Sequence, residues 1–144
     1  MIHPTSEKRL YQRRAEIRGD FGIPKTAILA VSVAVYPKTK GVDRSILALR
    51  EIPELHLLVA GLKENHAVSV KAMAARAGVS ARTFLIGHRN DIPDILSAAD
   101  LMLHPARVEN TGLVILESLL AGTPVIASAI CGFSEYIVSI GVQI

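Results

Sequence analysis

Residues 27–61, AILAVSVAVYPKTKGVDRSILALREIPELHLLVAG, decide the fold. Residues 27–35 form a continuous apolar run, long enough for a strand buried on both faces and too short for most helices. A loop, YPKTKG, follows at 36–41. Val42–Glu51 then turns to helical spacing, with Ile46, Leu47 and Leu49 giving it an apolar side. Leu55–Ala60 is a second apolar run of strand length, stopped by Gly61. Strand, short loop, helix and strand make a βαβ unit, in which the two strands are parallel and the crossover is right-handed.

The alternation continues outward from this unit. Upstream, residues 6–21 read as a helix that Ser6 can cap and that Gly22 and Pro24 stop. Downstream, residues 66–77 carry Val68, Met73 and Ala77 on a helical period, and 83–86 read as a short strand. Asp91 reads as the cap of a helix over 91–99, with Pro93 in its first turn. A strand at 100–104, a helix at 111–121, a strand at 124–128 and a further helix over 132–140 complete the series. Such a series predicts an α/β fold: a Rossmann-like parallel sheet flanked by helices on both faces. We divide the chain into a leading helix and linker, 1–26, and a domain, 27–144.

Composition agrees and narrows the function classes. Half of the 144 residues are hydrophobic, yet only three Phe and three Tyr are present and no Trp, so the core must be aliphatic. Cys131 is alone, which rules out an intramolecular disulfide and points to a reducing, cytoplasmic setting. Its thiol reads as a small buried filler, since no partner base is apparent. No metal-ligand cluster is legible, so no metal or other cofactor is expected. There is no uninterrupted apolar run of about 18 residues to span a membrane, and the start MIHPTSEKRL lacks the apolar stretch of a secretory signal. The net charge is +3, and five basic residues, Lys8, Arg9, Arg13, Arg14 and Arg18, fall in the first 18. Such a run reads first as a solvated helix face. The alternative is attraction to anionic lipid, and so a peripheral place at the inner membrane, or to a phosphorylated acceptor. Nucleic acid is not expected as a partner, because no aromatics interleave with the basic residues.

In parallel sheets of this kind, ligands bind beyond the carboxyl ends of the strands. Three loops there carry chemistry. In 36–41, Lys38 and Lys40 lead into a helix start, where free N–H groups and the helix dipole favour an anion. The loop is neither a Walker loop nor a G-x-G-x-x-G turn, and its lysines have a plain reading as solvated charges. In HPARVENTGLVILE, 104–117, Glu109 lies in the loop, Asn110, Thr111 and Gly112 lead into the helix, and Leu113 opens it. Glu117 falls beside the apolar run LVIL, where burying a carboxylate is costly unless something hydrogen-bonds to it. Sugar and ribose hydroxyls would satisfy both carboxylates, and the N–H groups of 111–113 would face a diphosphate. Helix-dipole stabilisation for Glu109 and an ion pair or solvent for Glu117 are the plainer alternatives. In GHRND, 87–91, Arg89 and Asn90 sit where a loop presents groups to a base edge. His104 reads either as a donor to a ligand phosphate or as a hydrogen-bonded structural histidine.

Taken in order, these segments resemble the C-terminal domain of the family-4 retaining glycosyltransferases, which have the GT-B fold. The E-x7-E signature is Glu109 to Glu117, preceded by a strand with His-Pro and followed by ESLLAGTPVIAS. KGVDRSI at 40–46 and IGHRNDIP at 86–93 extend the likeness, and KTKGVDRS at 38–45, HPA-x-x-ENTG at 104–112 and CGF-x-x-YI at 131–137 together resemble the branch acting in lipopolysaccharide core synthesis. The resemblance implies a nucleotide-sugar donor, a UDP-sugar and UDP-glucose above all, bound without metal. It implies that Lys40, with Lys38 as helper, takes the donor diphosphate. Glu109 would hold hydroxyls of the transferred sugar, and with Lys40 it is the expected catalytic pair. Asn110, Thr111, Gly112 and Leu113 would bring backbone groups to the sugar and phosphates. Glu117 would bind the ribose, and His88, Arg89 and Asn90 would lie near the base.

Two departures fall in the phosphate loop. Where the family commonly has a glycine, the chain has Ala34 and Val35, and Thr39 replaces an arginine often found beside the lysine. The chain is also expected to be incomplete as an enzyme, lacking the N-terminal acceptor domain and the end of the sheet. Exposed apolar sheet is then expected to drive self-association. Two rivals remain: a non-catalytic Rossmann-like remnant, and a GT-B fragment acting on another glycan.

Overall fold

The structure, a computed structural model, describes residues 4–109 and 111–130. The elements in chain order are α1 (Pro4–Asp20), β1 (Ile28–Val33), α2 (Val42–Glu51), β2 (Leu55–Ala60), α3 (Glu64–Arg76), β3 (Thr83–Gly87), α4 (Ile92–Ala98), β4 (Leu101–His104), α5 (Leu113–Leu120) and β5 (Val125–Ala127). All strand pairs are parallel, in the order β3-β2-β1-β4-β5. The expected Rossmann-like α/β architecture is the one observed. The expected helix over 132–140, and with it Cys131 and the 131–137 segment, lies outside the described residues, as does Asn110.

Strand alternation builds two cores from one sheet. Leu29 and Val31 of β1, with Leu58 and Ala60 of β2, pack with Ile95 and Leu96 of α4 and Ile115 of α5. Ala30, Leu57 and Val59 point the other way, onto Ile46 and Leu49 of α2 and Val70 and Ala74 of α3. Both faces of the central strands are therefore buried, which is why their sequences are continuous apolar runs. Leu29, Leu57, Leu58 and Leu96 are fully buried, and each such side chain contributes about 1.5–3 kcal/mol relative to exposure.

Three local expectations are corrected. The helix expected at 111 starts at Leu113, because Gly112 takes a left-handed φ of 69° and forms its N-cap. Asp91 occupies the N-cap of α4 but makes no side-chain cap bond; its carboxylate is taken by the Arg89 guanidinium at 2.9 and 2.8 Å. Ser6 lies inside α1 and not at its start.

The basic run is only partly a solvated face. Lys8 and Arg9 are exposed, but Arg18 is 3% exposed and donates to the carbonyls of Ala98 and Ala27 and to Asp100. Arg14 donates to the carbonyl of Ala99 and to Asp100 at 2.6 Å. Arg13 pairs with Asp94 and Glu16 on the surface. Two of the five charges thus clamp α1 against the start of β4, and Ile17 is buried beside them. Among the described residues, no helix is long and apolar enough to cross a membrane.

Candidate functional site

The strand order reverses between β1 and β4: the chain runs from β1 toward β2 and β3 on one side, and β4 and β5 lie on the other. Their exit loops, 36–41 and 105–112, therefore meet at the switch point, where such sheets bind ligands. Gly41 makes the meeting possible. Its φ is 71°, and a side-chain carbon there would sit 2.0 Å from the Pro105 carbonyl oxygen, so no other residue fits. The Arg107 N–H donates to the Thr39 carbonyl at 2.8 Å, and the Arg107 guanidinium donates to the Lys38 carbonyl at 2.9 Å. The same guanidinium forks onto both oxygens of Asp43, at 2.7 Å each, and those bonds hold the Asp43 pKa below the ordinary carboxylate value. Arg44 donates to the Pro105 carbonyl at 3.1 Å.

On this stitched base, Lys40 and Glu109 come together. The Lys40 ammonium donates to Glu109 Oε2, and His104 Nε2 donates to the same oxygen at 3.0 Å. The Glu109 side chain is 11% exposed, and Lys40 keeps 26% exposure. Burial opposes the charged form of Glu109, but the bonds from Lys40 and His104 prevail and hold its pKa below the ordinary value. His104 is the last residue of β4 and 1% exposed. Its burial depresses its pKa against the pull of Glu109, which makes it a neutral imidazole at pH 7 with the proton on Nε2. Gly112, also at positive φ, lies against this cluster: a side-chain carbon there would come within 3.4 Å of Glu109 Cγ.

The two helix mouths differ. The N–H groups of Lys40, Gly41 and Val42 are spent on the carbonyls of Tyr36, Lys38 and Pro37, so the expected free donors at the start of α2 are not there. What that loop offers an anion is chiefly side-chain charge. At α5, by contrast, the N–H groups of Thr111 and Gly112, just before the helix, make no backbone hydrogen bond among the described residues. The start of α5, with the positive end of its dipole, thus lies directly beyond Glu109.

The remaining expected residues are placed as follows. Lys38 is exposed and forms no ion pair among the described residues. Glu117 is exposed on α5, near the exposed Leu113, Leu116 and Leu120, so the burial cost expected from its apolar neighbours does not arise. Asn90 is exposed and its side-chain oxygen meets His88 Nε2 at 3.1 Å. Arg89 is held by Asp91 and lies over the Phe21 ring, 5.4 Å from its centroid, which directs it toward α1. Sequence reasoning did not assign Arg107 and Asp43, and it left His104 undecided. The signal for His104 was strand parity, since Met102, two residues earlier, is also fully buried.

Comparison with known proteins identifies the family. The Glycosyl transferases group 1 family matches residues 13–141. The lipopolysaccharide glucosyltransferase WaaG of Escherichia coli K12 is 38% identical over 119 residues, covering 81% of this chain and 32% of WaaG. The O-antigen biosynthesis glycosyltransferase WclY of Escherichia coli is 33% identical over 126 residues, 88% of this chain and 35% of WclY. The crystal structure of WaaG superposes with a TM-score of 0.79 at 37% identity, over 88% of this chain and 35% of that one. Anabaena Alr3699/HepE, solved in complex with UDP and glucose, gives 0.79 at 25% identity over 88% of this chain and 37% of HepE. The chain spans about a third of the length of these relatives. Matched over residues 13–141, this chain belongs to the glycosyl transferases group 1 family.

Proposed function

We propose that this chain is the donor-binding part of a retaining hexosyltransferase that takes a UDP-sugar, UDP-glucose first, and serves lipopolysaccharide core synthesis. The observation that carries the reading is the meeting of Lys40 and Glu109 beside the start of α5 at the switch point. A diphosphate needs positive charge and donors, and Lys40, Lys38 and the α5 mouth supply both without a metal. Sugar hydroxyls need a fixed carboxylate, which Glu109 supplies. Glu117, exposed further along α5, is free to take the ribose hydroxyls. WaaG supports the choice of glycan, and HepE with UDP and glucose supports the choice of donor. The acceptor and the other half of the cleft belong, in this reading, to the further domain that the longer relatives carry. Turnover needs both halves, because transfer requires donor and acceptor held together with water excluded.

Calorimetric titration with UDP tests the reading. The chain is expected to bind UDP, and Glu117→Ala to weaken that binding about tenfold, the worth of hydrogen bonds to a charged group. Equal binding by both chains would remove Glu117 from the ribose site, and no binding by either would end the donor assignment.

A further inference from the structure

We propose that Glu109 is a built-in occupant of the phosphate seat: in the free chain it neutralises Lys40, and an incoming diphosphate takes Lys40 over while His104 keeps Glu109 aligned for the sugar. This deepens the donor reading and rests on it. The carboxylate oxygen Oε2 receives both holders, and the two are unlike. His104 is 1% exposed and fixed in β4, where it pairs in register with Ala127 of β5. Lys40 stands at 26% exposure on a loop, carrying a mobile four-carbon stem. When a second anion arrives, the lysine can turn to it and the histidine cannot. Sharing is unfavourable, since a carboxylate left on Lys40 would face the negative diphosphate at short range.

The exchange gives the site a preference. An intact donor takes Lys40 but returns hydroxyls to Glu109, so both groups end with partners. UDP alone takes Lys40 and leaves Glu109 with His104 only. After transfer, the carboxylate therefore competes with the product diphosphate for Lys40 and favours its release. His104 is a positioning residue in this scheme: neutral at pH 7, it donates without adding charge, and its bond survives the departure of Lys40.

The test is a double-mutant cycle read by calorimetry with UDP and UDP-glucose at pH 7. Glu109→Gln is expected to tighten UDP about threefold to tenfold, as the competing charge goes, and to weaken UDP-glucose. In a Lys40→Met background the same change should leave UDP affinity where Lys40→Met put it. His104→Leu should weaken UDP-glucose more than UDP, and His104→Gln, which keeps a donor at the same reach, should restore the difference. UDP binding unchanged or weakened by Glu109→Gln overturns the exchange while leaving the donor reading intact. So does equal tightening with and without Lys40, which would mean a diffuse charge effect. If the parent chain binds neither ligand, the donor reading fails and takes the exchange with it. Should His104→Leu not fold, the Lys40–Glu109 cycle and His104→Gln decide.

Discussion

β4 begins and ends in charge, and its two ends are built on different plans. At the amino end, Asp100 receives Arg14, Arg18 and the N–H of Leu29. At the carboxyl end, Glu109 receives Lys40 and His104. Each carboxylate is held by two basic side chains and stands below its ordinary pKa. The difference lies in what else the cations do. Arg18 is buried and also donates to three backbone carbonyls, so its charge is committed to joining α1, β1 and β4. The Lys40 ammonium, among the described residues, bonds to Glu109 only. Similar ion-pair chemistry thus serves as a clamp at one end and as an exchangeable contact at the other, and the exchangeable one lies at the end where this sheet type binds ligands.

The sharpest way to break that contrast is to remove one carboxylate at each end. Asp100→Ala leaves the buried Arg18 guanidinium without its partner, and breaking such a pair is expensive. We expect a loss of about 2–4 kcal/mol in urea unfolding, the partial exposure of Asp100 keeping it below the fully buried range. Glu109→Gln, which keeps an acceptor for His104, should cost less than about 1 kcal/mol. Equal losses at the two ends would mean that both are structural clamps.

Acid sharpens the comparison further, because both ends share a carboxylate window and the carboxyl end adds a histidine window above it. His104 is depressed by burial, against the pull of Glu109. The unfolded chain, with an ordinary histidine pKa of about 6.5, therefore takes up this proton before the folded one. Stability from His104 is complete above that pH and is lost as pH falls below it. Asp100 is depressed because the Leu29 N–H and the two arginines outweigh its burial. Its contribution is complete above the ordinary carboxylate value of about 4 and is lost as pH falls through the folded value. Urea midpoints against pH should then show an upper limb that His104→Gln flattens and a lower limb that Asp100→Asn reduces. A single limb, insensitive to His104→Gln, would show that the carboxyl-end histidine is not held neutral.

The same contrast explains what was legible in the sequence. Leu55–Ala60 and Val42–Glu51 were read with their observed bounds, because burial on both faces or on one helix side writes itself directly as hydropathy. Lys40 and Glu109 were singled out because both follow strands, and the loops where parallel sheets bind ligands are fixed by topology; the structure brings the two together. What was missed depends on distant or conformational partners. Arg14 and Arg18 looked like surface charge because their partner, Asp100, is 86 and 82 residues away. Asp91 has the residue type of a cap, but Arg89 sits two positions before it and captures the carboxylate. The true start of α5 turns on the left-handed backbone at Gly112, which periodicity does not report.

The smallest expected effect concerns Glu117, which belongs to neither plan. It lies eight residues beyond Glu109 and is exposed, and its side chain carries no hydrogen bond or ion pair among the described residues. Glu117→Ala should move the urea midpoint by no more than about 0.5 kcal/mol equivalent, as for surface positions with no partner. The helix itself gains slightly from alanine, which opposes any small loss. Glu109, by contrast, is held before any ligand arrives. If Glu117→Ala costs stability on the scale of Asp100→Ala, then Glu117 has a fold partner, and its place on the open face of α5 no longer argues for a ligand. Stability unchanged together with weakened UDP binding would mark it as a carboxylate whose only partner is the donor.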